Sequence, residues 1–290
     1  MNSPTLFTVD KQINSYWQAT PLAIVLLSFL VIPMIVIVTV SFWDYNEFSI
    51  IPDFIFENYE FLLTSKVTWL AYLQTFKYAF LTWAITLLIG FFVSYYLAFH
   101  IKSNGMQTVL FLICTVPFLT SNIIRMISWI PLLGRNGLIN TGLTSADIIS
   151  SPIEWLLYSD FAIVLAYVHL YTMFMVVPIF NSMMRIDRSQ IEAAIDAGAT
   201  PFRILVDIII PLCKSGITIG SIFIFTLVMG DFITVKVMGG GIKANVAVLI
   251  YNEISLLQYP AAAASAVILL ISVIMMLIML FRLVDIRKEV

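Results

Sequence analysis

Long apolar stretches alternate along this chain with short polar ones, and the length of each apolar stretch decides what it builds. Crossing about 30 Å of hydrocarbon at about 1.5 Å per residue takes about 20 helical residues. Stretches of that order run from Ala19 to Phe42, Phe76 to Phe99, Met106 to Pro131, Leu157 to Phe180, Cys213 to Ile233 and Ala261 to Leu283. The pattern predicts an all-α integral membrane protein with about six transmembrane helices, in a single domain over residues 1–290. An even number of crossings brings both termini to the same side. The third and fifth stretches are the least regular: Arg125 interrupts one, and Gly216, Gly220, Gly230 and Asp231 thin the other.

Composition agrees with a membrane setting. Apolar residues make up 61% of the chain and charged ones 11%, and the mean hydropathy of +0.99 is far above that of soluble domains. Lys and Arg near the span ends set the orientation. With the N-terminus inside, Lys11, Lys102, Arg185, Arg188, Arg203, Lys214, Arg282, Arg287 and Lys288 lie on the inner side. Lys66, Lys77, Arg125, Arg135, Lys236 and Lys243 then lie outside. Both termini are therefore expected in the cytoplasm. No cleavable signal peptide is expected, because the first apolar segment is too long; its lead-in pair Tyr16-Trp17 is expected at the headgroup level.

One polar island stands out between the fourth and fifth stretches. Glu192-Ala193-Ala194-Ile195-Asp196-Ala197 is a run of helix formers, Gly198 can supply a positive φ to end it, and Pro201 suits the first turn of a new helix. The two pieces should meet at an angle, with Ala193, Ala194 and Ala197 on a narrow face and Arg185, Asp187, Arg188 and Arg203 around it. Taken alone, charges around small apolar residues also fit an amphipathic interfacial helix. The Glu-Ala-Ala, the Gly four residues after the second Ala, and Ile210-Pro211-Leu212 resemble the EAA loop of ABC importer permeases. That resemblance implies the type I ABC importer permease fold in a bacterial inner membrane. It also implies that Glu192, Ala193, Ala194, Asp196, Gly198, Pro201, Arg203 and Pro211 dock on a cytoplasmic ATPase.

A second group of residues narrows the resemblance. Arg125-Met126-Ile127-Ser128-Trp129-Ile130, the run from Leu132 to Asn140, and Gly230-Asp231-Phe232-Ile233-Thr234 with Met238-Gly239-Gly240 are similar to permeases of the spermidine/putrescine branch. That branch also holds carriers of other solutes: amino-acid-like or opine-like compounds, thiamine, phosphonate or ferric ion. The family implies two ATPase copies, a second permease that is either a paralogue or another copy, and an extracytoplasmic solute-binding protein. ATP and Mg belong to the ATPase, so this chain is expected to hold no cofactor and no catalytic site. No nucleic-acid partner is expected.

Within that frame, Asp231 reads either as a counter-ion in the substrate pathway or as a helix cap or partner of Lys236, since a carboxylate near an apolar span is costly to desolvate. Tyr167, Tyr171 and Phe174 recur at four- and three-residue spacing and share one helix face. They either hold an alkylammonium by cation–π contact or pack helices; Trp129 is placed in the same pathway. Gly216 and Gly220 allow close helix approach, to another pore helix or to a partner permease. The acidic outer residues, among them Asp44, Asp53, Glu57 and Glu60, would attract a cation, keep the loops soluble or bind the receptor.

Cys114 and Cys213 read as small buried hydrophobes, and His100 and His169 lack metal-ligand spacing. No P-loop, zinc-protease or serine-hydrolase motif occurs. An ion-driven secondary transporter remains the rival class, although no internal repeat supports it.

Overall fold

Helix boundaries follow the apolar stretches wherever the backbone has no reason to break. The computed structural model describes residues 20–46, 49–101 and 103–283. Ala19, Tyr16-Trp17, and Lys11, Lys102, Arg287 and Lys288 of the orientation count lie outside the described residues. The helices are α1 (Thr20–Val40), α2 (Glu57–Thr64), α3 (Lys66–Tyr95), α4 (Asn104–Thr115), α5 (Asn122–Ile127), α6 (Ile130–Leu133) and α7 (Leu138–Ser145). They continue with α8 (Asp160–Met183), α9 (Arg188–Asp196), α10 (Pro201–Ile204), α11 (Lys214–Gly230), α12 (Ile233–Met238), α13 (Val246–Ser255) and α14 (Tyr259–Leu283). A two-stranded antiparallel hairpin, β1 (Asp44–Tyr45) and β2 (Ile50–Ile51), pairs Asp44 with Ile51 and Tyr45 with Ile50.

Among the described residues four helices are long and apolar enough to cross a bilayer: Thr20–Val40, Lys66–His100, Glu154–Met183 and Tyr259–Arg282. The pair Pro201–Leu212 and Lys214–Gly230, bent by 65°, is apolar and long enough for a fifth when its two pieces are taken together. The stretch expected as one helix from Met106 to Pro131 is instead broken into α4, a 3₁₀ turn over Val116–Leu119, α5 and α6. Pro117 and Pro131 fall at the breaks, where proline lacks the N–H that would continue the preceding helical ladder. Two π-helical turns, Leu27–Val31 and Leu205–Ile209, immediately precede Ile32-Pro33 and Ile210-Pro211. Both widen the helix just where the missing proline N–H interrupts its ladder.

The described residues divide into two units, those up to residue 64 with 252–268, and those of 65–251 with the ones from 269 on. In the first, Asn58 Nδ2 donates to the carbonyls of Ser41 (3.2 Å) and Trp43 (2.9 Å). The rings of Phe42, Phe54, Phe56 and Tyr59 form an aromatic cluster in the same unit, Phe42 stacked on Phe54 and the others edge-on or tilted.

The second unit is built on α3, α8 and α11, which pack on one another. Their shared core holds Tyr78, Ala79, Ala166, Tyr167, Met175, Ile224 and Met229. Small residues let the backbones close in, as association within lipid requires. A Cβ on Gly90 would lie 2.8 Å from Met175 Cγ, and one on Gly220 would lie 2.5 Å from Met175 Sδ. Gly216 sits against the Pro178 carbonyl. The Gly216/Gly220 pair is therefore filled within this chain, by α8. Ser94 Oγ donates to Val176 O at 3.0 Å and Trp83 Nε1 to Ser221 Oγ at 2.8 Å, so the buried polar groups also bridge helices.

Candidate functional site: a bent helical loop and a central acidic cavity

Two places in the second unit combine unusual backbone or charge with accessible space. The first is the polar island. Asp187 caps α9, its Oδ1 accepting from the Ser189 N–H at 3.0 Å, and this bond holds the exposed carboxyl below its ordinary range. At the other end Gly198 adopts φ +82°. Its N–H donates to Ile195 O (2.9 Å) and the Ala199 N–H to Ala194 O (2.9 Å), the pair of bonds that closes a Schellman motif. Thr200 then caps α10 with Oγ1 accepting from the Arg203 N–H, and Pro201 takes the first turn. The bent finger expected from Glu192 to Pro201 is thus present.

Its faces differ from expectation in one respect. Glu192, Ala193, Asp196, Ala197, Gly198, Pro201 and Arg203 are exposed, whereas Ala194 is half-buried and packs inward on the core. Pro211 is also half-buried. The apolar tip is supplied instead by Ile195 and Phe202, which are 56% and 72% exposed. Small residues with a Gly among them drew attention to the loop; these two large side chains gave no periodic signal. Inside the bend lies a cavity of about 460 Å³, lined by Tyr95, Phe99, Ile191, Glu192, Ala199 and Ile204 among others.

The second place is the break between α11 and α12. Asp231 follows Gly230 in extended geometry (φ −89°, ψ 114°), and its carboxylate gathers donors from two elements. Tyr171 Oη donates to Oδ2 at 2.8 Å, Thr234 Oγ1 to Oδ2 at 2.6 Å, and the Thr234 N–H to Oδ1 at 3.1 Å. Its carbonyl accepts from Tyr167 Oη (3.1 Å) and Asn245 Nδ2 (3.0 Å). A cavity of about 200 Å³ opens beside it, lined by Asn122, Ile123, Met126, Tyr171, Asp231 and Thr234, together with Ile233. Asp231 therefore both caps α12 and lines a cavity. It does not pair with Lys236, whose Nζ lies 3.8 Å from the centre of the Tyr251 ring.

The other expected pathway residues spread out. Tyr167 and Tyr171 stack at 5.8 Å, but Tyr167 is wholly buried and reaches Asp231 only through its hydroxyl. It is a support beneath the cavity. Phe174 sits against Phe118 (4.8 Å) and Phe223 (5.6 Å), beside a separate apolar cavity of about 240 Å³. Trp129 Nε1 donates to His169 Nδ1 at 3.0 Å and does not line the Asp231 cavity. Sequence reasoning missed Asn122, Thr234 and above all Arg125, which is buried near this cavity and donates to Asn122 Oδ1. A charge inside an apolar stretch was the signal that could have found it.

Residues 87–287 match the family model described as the inner membrane component of binding-protein-dependent transport systems. The chain belongs to that family. As an ABC importer permease it is a multi-pass inner membrane subunit that works with an ATPase, a second permease and a solute-binding protein. It is 31% identical over 251 residues to the spermidine/putrescine transport system permease protein PotB of Haemophilus influenzae, covering 84% of this permease and 85% of that one. PotB of Escherichia coli is 29% identical, with 74% and 77% covered. The putative 2-aminoethylphosphonate transport system permease protein PhnU of Salmonella paratyphi A is 26% identical, with 79% and 81% covered. The permease fold also superposes on a chain of the bacterial alginate ABC transporter crystallised with its alginate-bound periplasmic protein. There the TM-score is 0.77 at 15% identity, over 97% of this chain and 96% of that one.

Proposed function

We propose that this permease imports a polyamine of the spermidine/putrescine type, together with two ATPase copies, a paralogous second permease and an extracytoplasmic receptor. The observation that carries the cargo is the Asp231 carboxylate. It lines the cavity and, among the described residues, has no ion-pair partner, so a cargo ammonium supplies the missing counter-charge. The likeness to two permeases named for spermidine and putrescine supports the same reading.

The bent loop is the docking element in this reading. Glu192, Ala193, Asp196, Gly198, Pro201 and Arg203 meet the ATPase, with Ile195 and Phe202 as the apolar tip and Ala194 and Pro211 holding the finger to the helices. Both termini lie in the cytoplasm on the Lys and Arg bias. ATP and its Mg ion stay on the ATPase, and this chain holds no cofactor. Closure of the ATPase pair pushes the finger, and rocking of the helices switches access to the Asp231 cavity from one side to the other.

The test is ATP-dependent uptake of labelled spermidine and putrescine by the reconstituted complex, wild type against Asp231→Asn. Uptake is expected to fall by about tenfold or more, with receptor affinity unchanged, because the variant keeps the side-chain shape and removes its charge. Equal uptake by both proteins overturns the assignment of Asp231. Lack of amine uptake by the wild type overturns the cargo.

A further inference from the structure

Arg125 is 7% exposed, on the short helix α5 beside the broken third span. A buried guanidinium held for structural reasons has its five donors satisfied and a carboxylate at hand. This one is held by neutral groups. One Nη2 donates to Asn122 Oδ1, the guanidinium carbon lies 5.8 Å from the centre of the Phe118 ring, and Nε is buried without a hydrogen-bond partner. None of the ion pairs among the described residues includes it. Its positive charge is therefore not cancelled where it sits.

That field has a definite direction. Asn122, which anchors the guanidinium, and Met126, its chain neighbour, both line the Asp231 cavity. Tyr171 lines the same cavity and donates its hydroxyl to Asp231. The cavity thus has a carboxylate in its wall and an uncancelled cation held by another of its lining residues, Asn122. A lone carboxylate in a low-dielectric site attracts a cargo more strongly with each added ammonium, and a transport site must also let its cargo go.

We propose that Arg125 is a charge-discriminating residue of the cargo pathway, offsetting Asp231 across the Asn122–Tyr171 cavity so that a multiply charged amine enters without being trapped. This rests on the polyamine reading above. Repulsion from the guanidinium grows with cargo charge, so its removal should affect spermidine, with three ammonium groups, more than putrescine, with two.

The experiment is uptake kinetics of both amines in the complete reconstituted complex. The variants are Arg125→Gln, Arg125→Lys and the double variant Arg125→Gln/Asp231→Asn. For Arg125→Gln the half-saturation concentration of spermidine is expected to drop by about tenfold, with a lower maximal rate and a distinctly smaller change for putrescine. Arg125→Lys should keep the wild-type ranking, and the double variant should abolish the charge dependence. Equal factors for the two amines in Arg125→Gln, or a lysine variant that behaves like the glutamine one, overturns the proposal. So does a complex that assembles only with Arg or Lys at 125, since that assigns the residue to folding. If the wild type takes up neither amine, the polyamine reading itself has failed, an outcome distinct from wild-type uptake with unaltered ranking in the variants.

Discussion

Asp231 shows how a single residue answers two questions that its sequence context leaves open. Capping and lining a cavity are compatible, because Thr234 and Tyr171 donate to the carboxylate while it lines the same cavity as Asn122 and Ile123. Tyr171→Phe separates the two roles. It removes one hydrogen bond to a charged acceptor, worth about 1.5–3 kcal/mol, and leaves the Thr234 cap intact. Uptake should decline less than for Asp231→Asn, and the purified complex should melt at a lower temperature; an unchanged melting curve would show that the bond contributes nothing. Asp231 was legible in the sequence because a carboxylate at an apolar span end is conspicuous. Arg125 was read as an interruption, an orientation charge and part of a family run but not as a pathway residue, since a hydropathy window registers a charge without saying which neighbours hold it.

At the level of elements, spacing located the helices well and their breaks poorly. The stretches from Phe76 and Leu157 formed continuous helices, the first extended at its N-terminal end to Ser65, which accepts from the Thr68 N–H, and the second starting only at Asp160, behind Ser159, which accepts from the Ala162 N–H. The stretch from Met106 satisfied the same length rule, yet its prolines and polar residues divide it. The loop was legible for a local reason, that Gly198 has to supply a left-handed φ. Gly198→Val should strain that turn at φ +82° even though space for a Cβ is open. The expected outcome is loss of receptor-stimulated ATP hydrolysis with normal membrane insertion; full stimulation would refute the docking role. Gly216→Val tests a different constraint, because its Cβ would fall 2.5 Å from the Pro178 carbonyl oxygen and from Ser182 Oγ. Overpacking of this kind costs about 1–3 kcal/mol, so thermal stability should fall whatever happens to coupling. An unshifted melting temperature would mean that α8 and α11 separate easily.

Across the whole molecule, the finger and the Asp231 cavity draw on different residues that share no hydrogen bond, although both are carried by the packed helices of the second unit. Composition and span length made the membrane class legible, and one motif made the family legible; the division of labour between finger and cavity needed three-dimensional placement. A permease built this way should show two separable kinds of defect. Glu192→Ala removes an exposed charge from the finger and leaves the cavity untouched, so it should lower receptor-stimulated ATP hydrolysis and uptake together, by the same factor for spermidine and putrescine. Asp231→Asn should lower amine uptake while ATP hydrolysis continues to respond to the loaded receptor, because the finger still transmits the push. Effects on separate, non-contacting sites combine additively in free energy, so the double variant should lose uptake by about the product of the two single factors. Measuring both readouts on the same proteoliposomes for all four proteins decides the matter. If Asp231→Asn silences hydrolysis as fully as Glu192→Ala does, the cavity gates the ATPase directly, and rigid rocking with independent ends is the wrong mechanism.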